Sequence, residues 1–62
     1  MKILIRQVRE EKSINRRQLS RLTGISERSL LHYESAEISP TLNHLSTISQ
    51  ALNCSISDLY SE

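Results

Sequence analysis

Apolar residues recur at helical spacing along most of the chain. Leu4 or Ile5, Val8 and, past a break, Ile14 predict a first helix over about residues 2–12, which Ser13 would end. Asn15 is a good N-cap residue, and Gln18 three positions on completes a capping box. The helix they open would run to about Thr23 and bury Leu19 and Leu22. Gly24, the only glycine, stands where a helix end needs a left-handed residue. Ser26 caps a third helix over residues 27–35, with Leu30 and Tyr33 as its inward stripe. Pro40 then interrupts the pattern, and Ser39 or Thr41 caps a fourth helix to about Leu52. That helix carries Leu42, Leu45, Ile48 and Leu52 at spacings of three and four. Ser55 and Asp58 cap a last short helix holding Ile56, Leu59 and Tyr60. The pattern predicts an all-α, compact five-helix bundle forming one domain over residues 1–62, with no repeat, linker or low-complexity stretch.

The most informative stretch is residues 16–35. Two short helices share the turn Thr23-Gly24-Ile25-Ser26, with Ile25 plugging it from inside. A turn that short imposes a steep crossing angle, the geometry of a helix-turn-helix. Purely structural helical domains also use it, so the spacing alone does not establish a DNA-binding role.

Composition narrows the alternatives. With 62 residues the chain holds one small core, near the lower limit for folding without a staple. Cys54 is the only cysteine, so no internal disulfide forms. His32 and His44 have no cysteine pair beside them, which excludes a zinc finger and leaves no metal site. The longest apolar run, Ile3-Leu4-Ile5, is far too short for a membrane span, and no small-residue cleavage site follows it. A cytoplasmic protein without cofactor or small-molecule ligand is expected. Nothing suggests an enzyme: there is no glycine-rich phosphate loop, no metal cluster and no carboxylate pair placed for catalysis.

The net charge of +1 hides a polarity. Residues 1–28 hold all eight Lys and Arg against three carboxylates, a net +5, whereas residues 29–62 carry four carboxylates and no Lys or Arg, a net −4. A basic half of this kind suits a polyanion, with DNA phosphate the leading candidate.

Several segments together carry a family resemblance: Val8-Arg9-Glu10-Glu11-Lys12, Gln18-Leu19-Ser20, Thr23-Gly24-Ile25-Ser26, Tyr33-Glu34-Ser35, Ser39-Pro40-Thr41-Leu42, and Ala51 through Tyr60. In that order, over nearly the whole chain, they resemble the Cro/C1-type, phage-repressor-like helix-turn-helix family. The resemblance implies a five-helix DNA-binding domain acting as a homodimer on a palindromic operator, and a transcriptional regulator, by preference a repressor. A local resemblance of residues 22–34 to the mercury-resistance-regulator type of winged helix ranks well behind. That type needs a β wing where the fourth helix is predicted.

Placing Leu30 and Tyr33 inward turns Arg28, Leu31 and His32 outward, with Glu27 beside them at the start of the helix. These four are the candidate base readers: Arg28 for guanine, Leu31 for a thymine methyl, His32 for a base edge or phosphate, and Glu27 for cytosine. Glu27 is equally explained as a favourable charge at a helix N-terminus. Arg16 and Arg17 are the main phosphate candidates, joined by Ser26, Ser29 and Ser35, with Arg21 and Lys2 peripheral. The resemblance further implies a structural ion pair between Arg9 and Glu34. The loop Ser35-Ala36-Glu37-Ile38 departs from the family, which commonly has glycine and a basic residue there, so Glu37 would face phosphate with the wrong sign. Ile3, Leu59 and Tyr60 are dimer candidates, though ordinary core packing explains them slightly better. A rival reading is a protein-interaction module on the same fold, anti-repressor or antitoxin-like, that does not bind DNA.

Overall fold

The computed structural model describes residues 2–62; Met1, the first residue of the predicted domain, lies outside them. Among these residues the chain forms a strand β1 (Lys2–Ile3), four helices α1 (Ile5–Glu11), α2 (Arg16–Thr23), α3 (Glu27–Glu34) and α4 (Leu42–Ala51), a 3-10 turn (Ile56–Leu59) and a strand β2 (Tyr60–Ser61). The all-α expectation therefore holds in the main, with four helices instead of five. The last predicted helix is a single 3-10 turn. Its capping is nonetheless in place, with Ser55 N–H donating to Asp58 Oδ2 at 3.1 Å.

The first helix starts three residues later than its apolar pattern suggests. Lys2 and Ile3 are drawn into an antiparallel pair with β2, Lys2 opposite Ser61 and Ile3 opposite Tyr60. Leu4 N–H extends that pairing by donating to Leu59 O at 2.8 Å. A partner from the far end of the chain overrides a weak local preference for helix.

Local signals set the other helix starts. Asn15 and Gln18 form a reciprocal capping box, each side-chain oxygen accepting the other's backbone N–H at 2.8 Å. Ser26 accepts from Ser29 N–H and Thr41 from His44 N–H, both at 3.1 Å. Pro40 therefore precedes a threonine cap, and Ser39 is not used.

Helix ends are less conventional. Gly24 closes α2 in the left-handed region at φ 75°. Three other left-handed residues, Ser13, Ala36 and Asn53, are not glycine. Each follows a helix and sits inside the same double hydrogen bond. Ser13 N–H and Ile14 N–H reach back to Glu10 O and Arg9 O; Ala36 and Glu37 reach Tyr33 O and His32 O; Asn53 and Cys54 reach Gln50 O and Ser49 O. This is the Schellman arrangement, which satisfies the orphan carbonyls of a helix end. Ala36 thus adopts the conformation that its side chain disfavours.

The core is Ile5, Val8, Leu19, Ile25, Leu30, Tyr33, Leu45, Ile48, Leu52 and Leu59. Two predicted core leucines are absent from it: Leu22 is 61% exposed and Leu42 is 71% exposed. In α2 the inward position below Leu19 belongs to Thr23, whose hydroxyl donates to Leu19 O at 2.8 Å and accepts from Ile25 N–H at 3.1 Å. That clasp directs Ile25 into the core under the turn and leaves Leu22 on the outer flank. In α4 the buried stripe is Leu45, Ile48, Ser49 and Leu52, and Leu42, the first residue of the helix, lies outside it.

Candidate nucleic-acid interface

Helices α2 and α3 pack directly on each other, joined by the three residues Gly24, Ile25 and Ser26. Burial of Leu19, Ile25, Leu30 and Tyr33 fixes both helices to the core and determines which faces turn outward. On α3, Glu27, Arg28 and Leu31 are exposed and His32 is half-buried. At about 100° per residue these four occupy one continuous arc opposite Leu30 and Tyr33. Leu31, 44% exposed, is an apolar residue held at the centre of an otherwise polar arc.

The start of α2 carries Arg16 and Arg17 and meets α3 at Glu34, the last residue of that helix. Arg17 is exposed, whereas Arg16 is 37% exposed in its side chain and lies 3.4 Å from Glu34 through its Nε. Together α2 and α3 hold four arginines, at 16, 17, 21 and 28, against Glu27 and Glu34. Glu34 is itself buried and paired, so most of the outward charge is positive.

The three serines differ in what they offer. Ser26 accepts from Ser29 N–H and donates its proton to Ser29 Oγ at 3.0 Å, so its donor is already committed. Ser29 keeps its own hydroxyl proton available. Ser35 Oγ lies 3.3 Å from His32 O and 3.2 Å from Glu37 Oε1, so its single proton serves the loop. Of the hydroxyls expected at phosphate, Ser29 is the one whose donor is uncommitted.

Arg9 and Glu34 form a buried ion pair between α1 and α3. Arg9 Nε donates to Glu34 Oε2 at 3.0 Å and Nη2 donates to Oε1 at 3.2 Å, while Nη1 donates to Ile14 O at 3.0 Å. Both side chains are almost closed to solvent, at 8% and 4% exposed. A bidentate guanidinium pair of this kind has a defined orientation, and it ties the last residue of α3 to α1. Neither residue is presented to a ligand. The second guanidinium on Glu34, that of Arg16, carries no local signature in the sequence. Its partner lies in another helix, and only the folded arrangement brings the two together.

The dimer candidates separate cleanly. Leu59 is fully buried in the core and offers no surface, so that expectation is corrected. Ile3 and Tyr60 are opposite one another in the β pair and both remain half-buried. Exposed apolar area lies elsewhere, at Leu22, Leu31, Ile38 and Leu42. Among the described residues no group of three or more His, Cys, Asp or Glu side chains is placed to hold a metal ion. No helix among them is long and apolar enough to cross a membrane.

A comparison with known families agrees with this geometry. A family model described as Helix-turn-helix matches residues 5–59, which span all four helices and the 3-10 turn. Among curated proteins none matches the chain. With the match covering most of its length and the two-helix motif in the order described, the chain belongs to the Cro/C1-type helix-turn-helix family of DNA-binding regulators.

Proposed function

We propose that the protein is a cytoplasmic, sequence-specific regulator of transcription that places α3 in the major groove of double-stranded DNA and represses by occupying its operator as a homodimer. The observation that carries this reading is the outward arc of Glu27, Arg28, Leu31 and His32, backed by the core, with Arg16 and Arg17 at the start of the adjoining helix. A guanidinium fork at Arg28 matches guanine O6 and N7, and Leu31 suits a thymine methyl. His32 would reach a base edge or a phosphate, and Glu27 would accept from cytosine N4 or serve the helix dipole. Arg16, Arg17 and Ser29 would meet phosphates, with Ser26 and Ser35 joining only by exchanging hydrogen bonds they now make. Such contacts position the protein on the duplex, whereas the base contacts supply specificity.

Dimerisation enters because a single unit is weakly equipped. Glu37 is exposed in the loop after α3, where it would repel phosphate, and the net charge is only +1. Two half-sites bound in one event would compensate. Ile3 and Tyr60 are the remaining candidates for that contact.

The same acidic loop favours a second reading, an interaction module of this fold acting on a protein partner, with Leu22, Ile38 and Leu42 as exposed apolar contacts. Selection from random duplex DNA at moderate salt, followed by titration of the enriched sequences, separates the two. Enrichment of a palindrome with half-sites about one helical turn apart supports the dimeric regulator. Failure to enrich any sequence, with at most weak salt-sensitive binding, favours the interaction module.

A further inference from the structure

The ion cluster where α1, α2 and α3 meet is one anion short. Glu34 holds Arg9 by two hydrogen bonds and has Arg16 Nε 3.4 Å from the same Oε1. Two guanidiniums therefore share one buried carboxylate, and the second is poorly served. Arg16 Nε is closed off from solvent yet makes no aligned hydrogen bond. A buried donor without a partner is costly, and native structures rarely keep one without a reason. Among the described residues Glu34 is the only carboxylate paired with Arg16. More than a third of the Arg16 side chain remains exposed although its Nε is not, which leaves the rest of the side chain open to a ligand.

We propose that Glu34 is a positioning residue for DNA binding, holding Arg16 by its inner nitrogen so that the outer edge of the guanidinium meets a backbone phosphate. The phosphate supplies the anion that the cluster lacks. This rests on the DNA-binding reading above and adds a mechanical link to it. Glu34 is the last residue of α3, so a phosphate gripped through Arg16 also sets where the recognition helix lies against the backbone. Arg9, bonded to both oxygens of the carboxylate, keeps Glu34 from turning away.

The test uses the duplex enriched from the random pool, or a mixed-sequence duplex of about 20 base pairs, two half-sites long, if none is enriched. Single phosphates are replaced in turn by neutral methylphosphonate. Affinities are measured for the native chain, Arg16→Ala, Arg16→Lys, Glu34→Gln and the double variant Arg16→Ala with Glu34→Gln, with circular dichroism and melting as checks on folding. One phosphate position should weaken native binding about tenfold when neutralised, the scale of one charge-assisted hydrogen bond, and should have no effect in Arg16→Ala. Glu34→Gln should lose sensitivity at that same position, and it should weaken native binding but not the Arg16→Ala variant further.

Equal losses from Glu34→Gln in both backgrounds would reduce Glu34 to a support for the fold and overturn the proposal. If Glu34→Gln does not fold, Arg16→Lys decides. Lysine keeps the charge but has a methylene where arginine has Nε, so Glu34 finds no inner nitrogen to pair with while the outer end meets phosphate. Full recovery of the phosphate sensitivity by Arg16→Lys would overturn the proposal. If the native chain binds no duplex, the DNA-binding reading itself falls. If it binds and no phosphate position depends on Arg16, only the role of Glu34 falls.

Discussion

Tyr33 and His44 join the recognition helix to the helix that follows the acidic loop. The phenol oxygen lies 2.6 Å from His44 Nδ1, and the two rings are tilted at 60° with centroids 5.7 Å apart. Tyr33 is buried, and His44 sits in the first turn of α4, where its own N–H is held by Thr41. The contact thus closes the base of the loop over residues 35–41.

Removing that hydroxyl should be felt in stability. Tyr33→Phe keeps the ring in the core and leaves His44 Nδ1 without its partner, at a cost of about 1 kcal/mol. In a domain of this size that corresponds to a fall in Tm of roughly 4–8 °C. Thermal and urea unfolding measure it. An unchanged midpoint would mean that water replaces the phenol at the half-buried histidine.

Helix ends offer a matched pair of substitutions with opposite signs. Gly24 has φ 75° and open space where a Cβ would go, with nothing within 4 Å. Gly24→Ala should therefore destabilise through the backbone alone, by about 1 kcal/mol. Ala36 already carries that penalty at φ 65°, so Ala36→Gly should stabilise by up to about 1 kcal/mol. If both changes move the urea midpoint the same way, strain at the left-handed residue is not what governs these sites.

Arg28 is exposed in the first turn of α3, and among the described residues its side chain has no hydrogen bond or ion pair that its loss would break. Arg28→Ala should leave melting within about 0.5 kcal/mol of the native chain. It should reduce discrimination at one base pair by about 1–3 kcal/mol if that residue reads guanine. Competition titrations against single-base variants of the enriched duplex measure this. Unchanged selectivity would remove Arg28 from the readers.

Cys54 provides a pH-dependent readout. Burial raises its thiol above the ordinary value of 9.0; Asp58 adds to the rise and Lys12 opposes it. A raised value in the folded state means that the fold favours the protonated thiol. That contribution is complete below 9.0 and is lost as the pH climbs through the raised value. Stability should fall in this alkaline window, and by less in Cys54→Ser. Near neutral pH the native thiol should react with iodoacetamide more slowly than the same thiol in denaturant. Equal rates in the two states would show that burial does not govern this cysteine.

Much of the architecture could be read from the chain because its determinants are local. Asn15 with Gln18, Ser26 with Ser29 and Thr41 with His44 satisfy helix starts within three residues, so their spacing predicts them. The outward arc of α3 followed from the same logic once Leu30 and Tyr33 were placed inside. Periodicity failed at Leu22 and Leu42, where an apolar residue at helical spacing lies beyond the edge of the buried stripe. It also failed at Lys2 and Ile3, whose partners are at the opposite end of the chain. The helix ends at Ser13 and Ala36 are left-handed without glycine, hydrogen bonding outweighing the backbone preference there. The link between Arg9 and Glu34 spans 25 positions and came from family resemblance. Arg16 is drawn to the same carboxylate by the folded arrangement alone, since no pattern within either helix encodes that contact.

The pairing of β1 with β2 determines how the molecule would respond to force. Lys2 lies opposite Ser61 and Ile3 opposite Tyr60, in antiparallel register. Nearly the whole chain is thus enclosed as a loop whose closure entropy, growing as about (3/2)RT ln n, is offset by the packing of Ile5 and Leu59 just inside it. A pull applied between the two ends loads this short ladder before it loads any helix. It opens in the unzipping direction, rung by rung, instead of shearing all rungs at once. Tension would therefore release the terminal pair at low force while α2 and α3 stayed seated on the core.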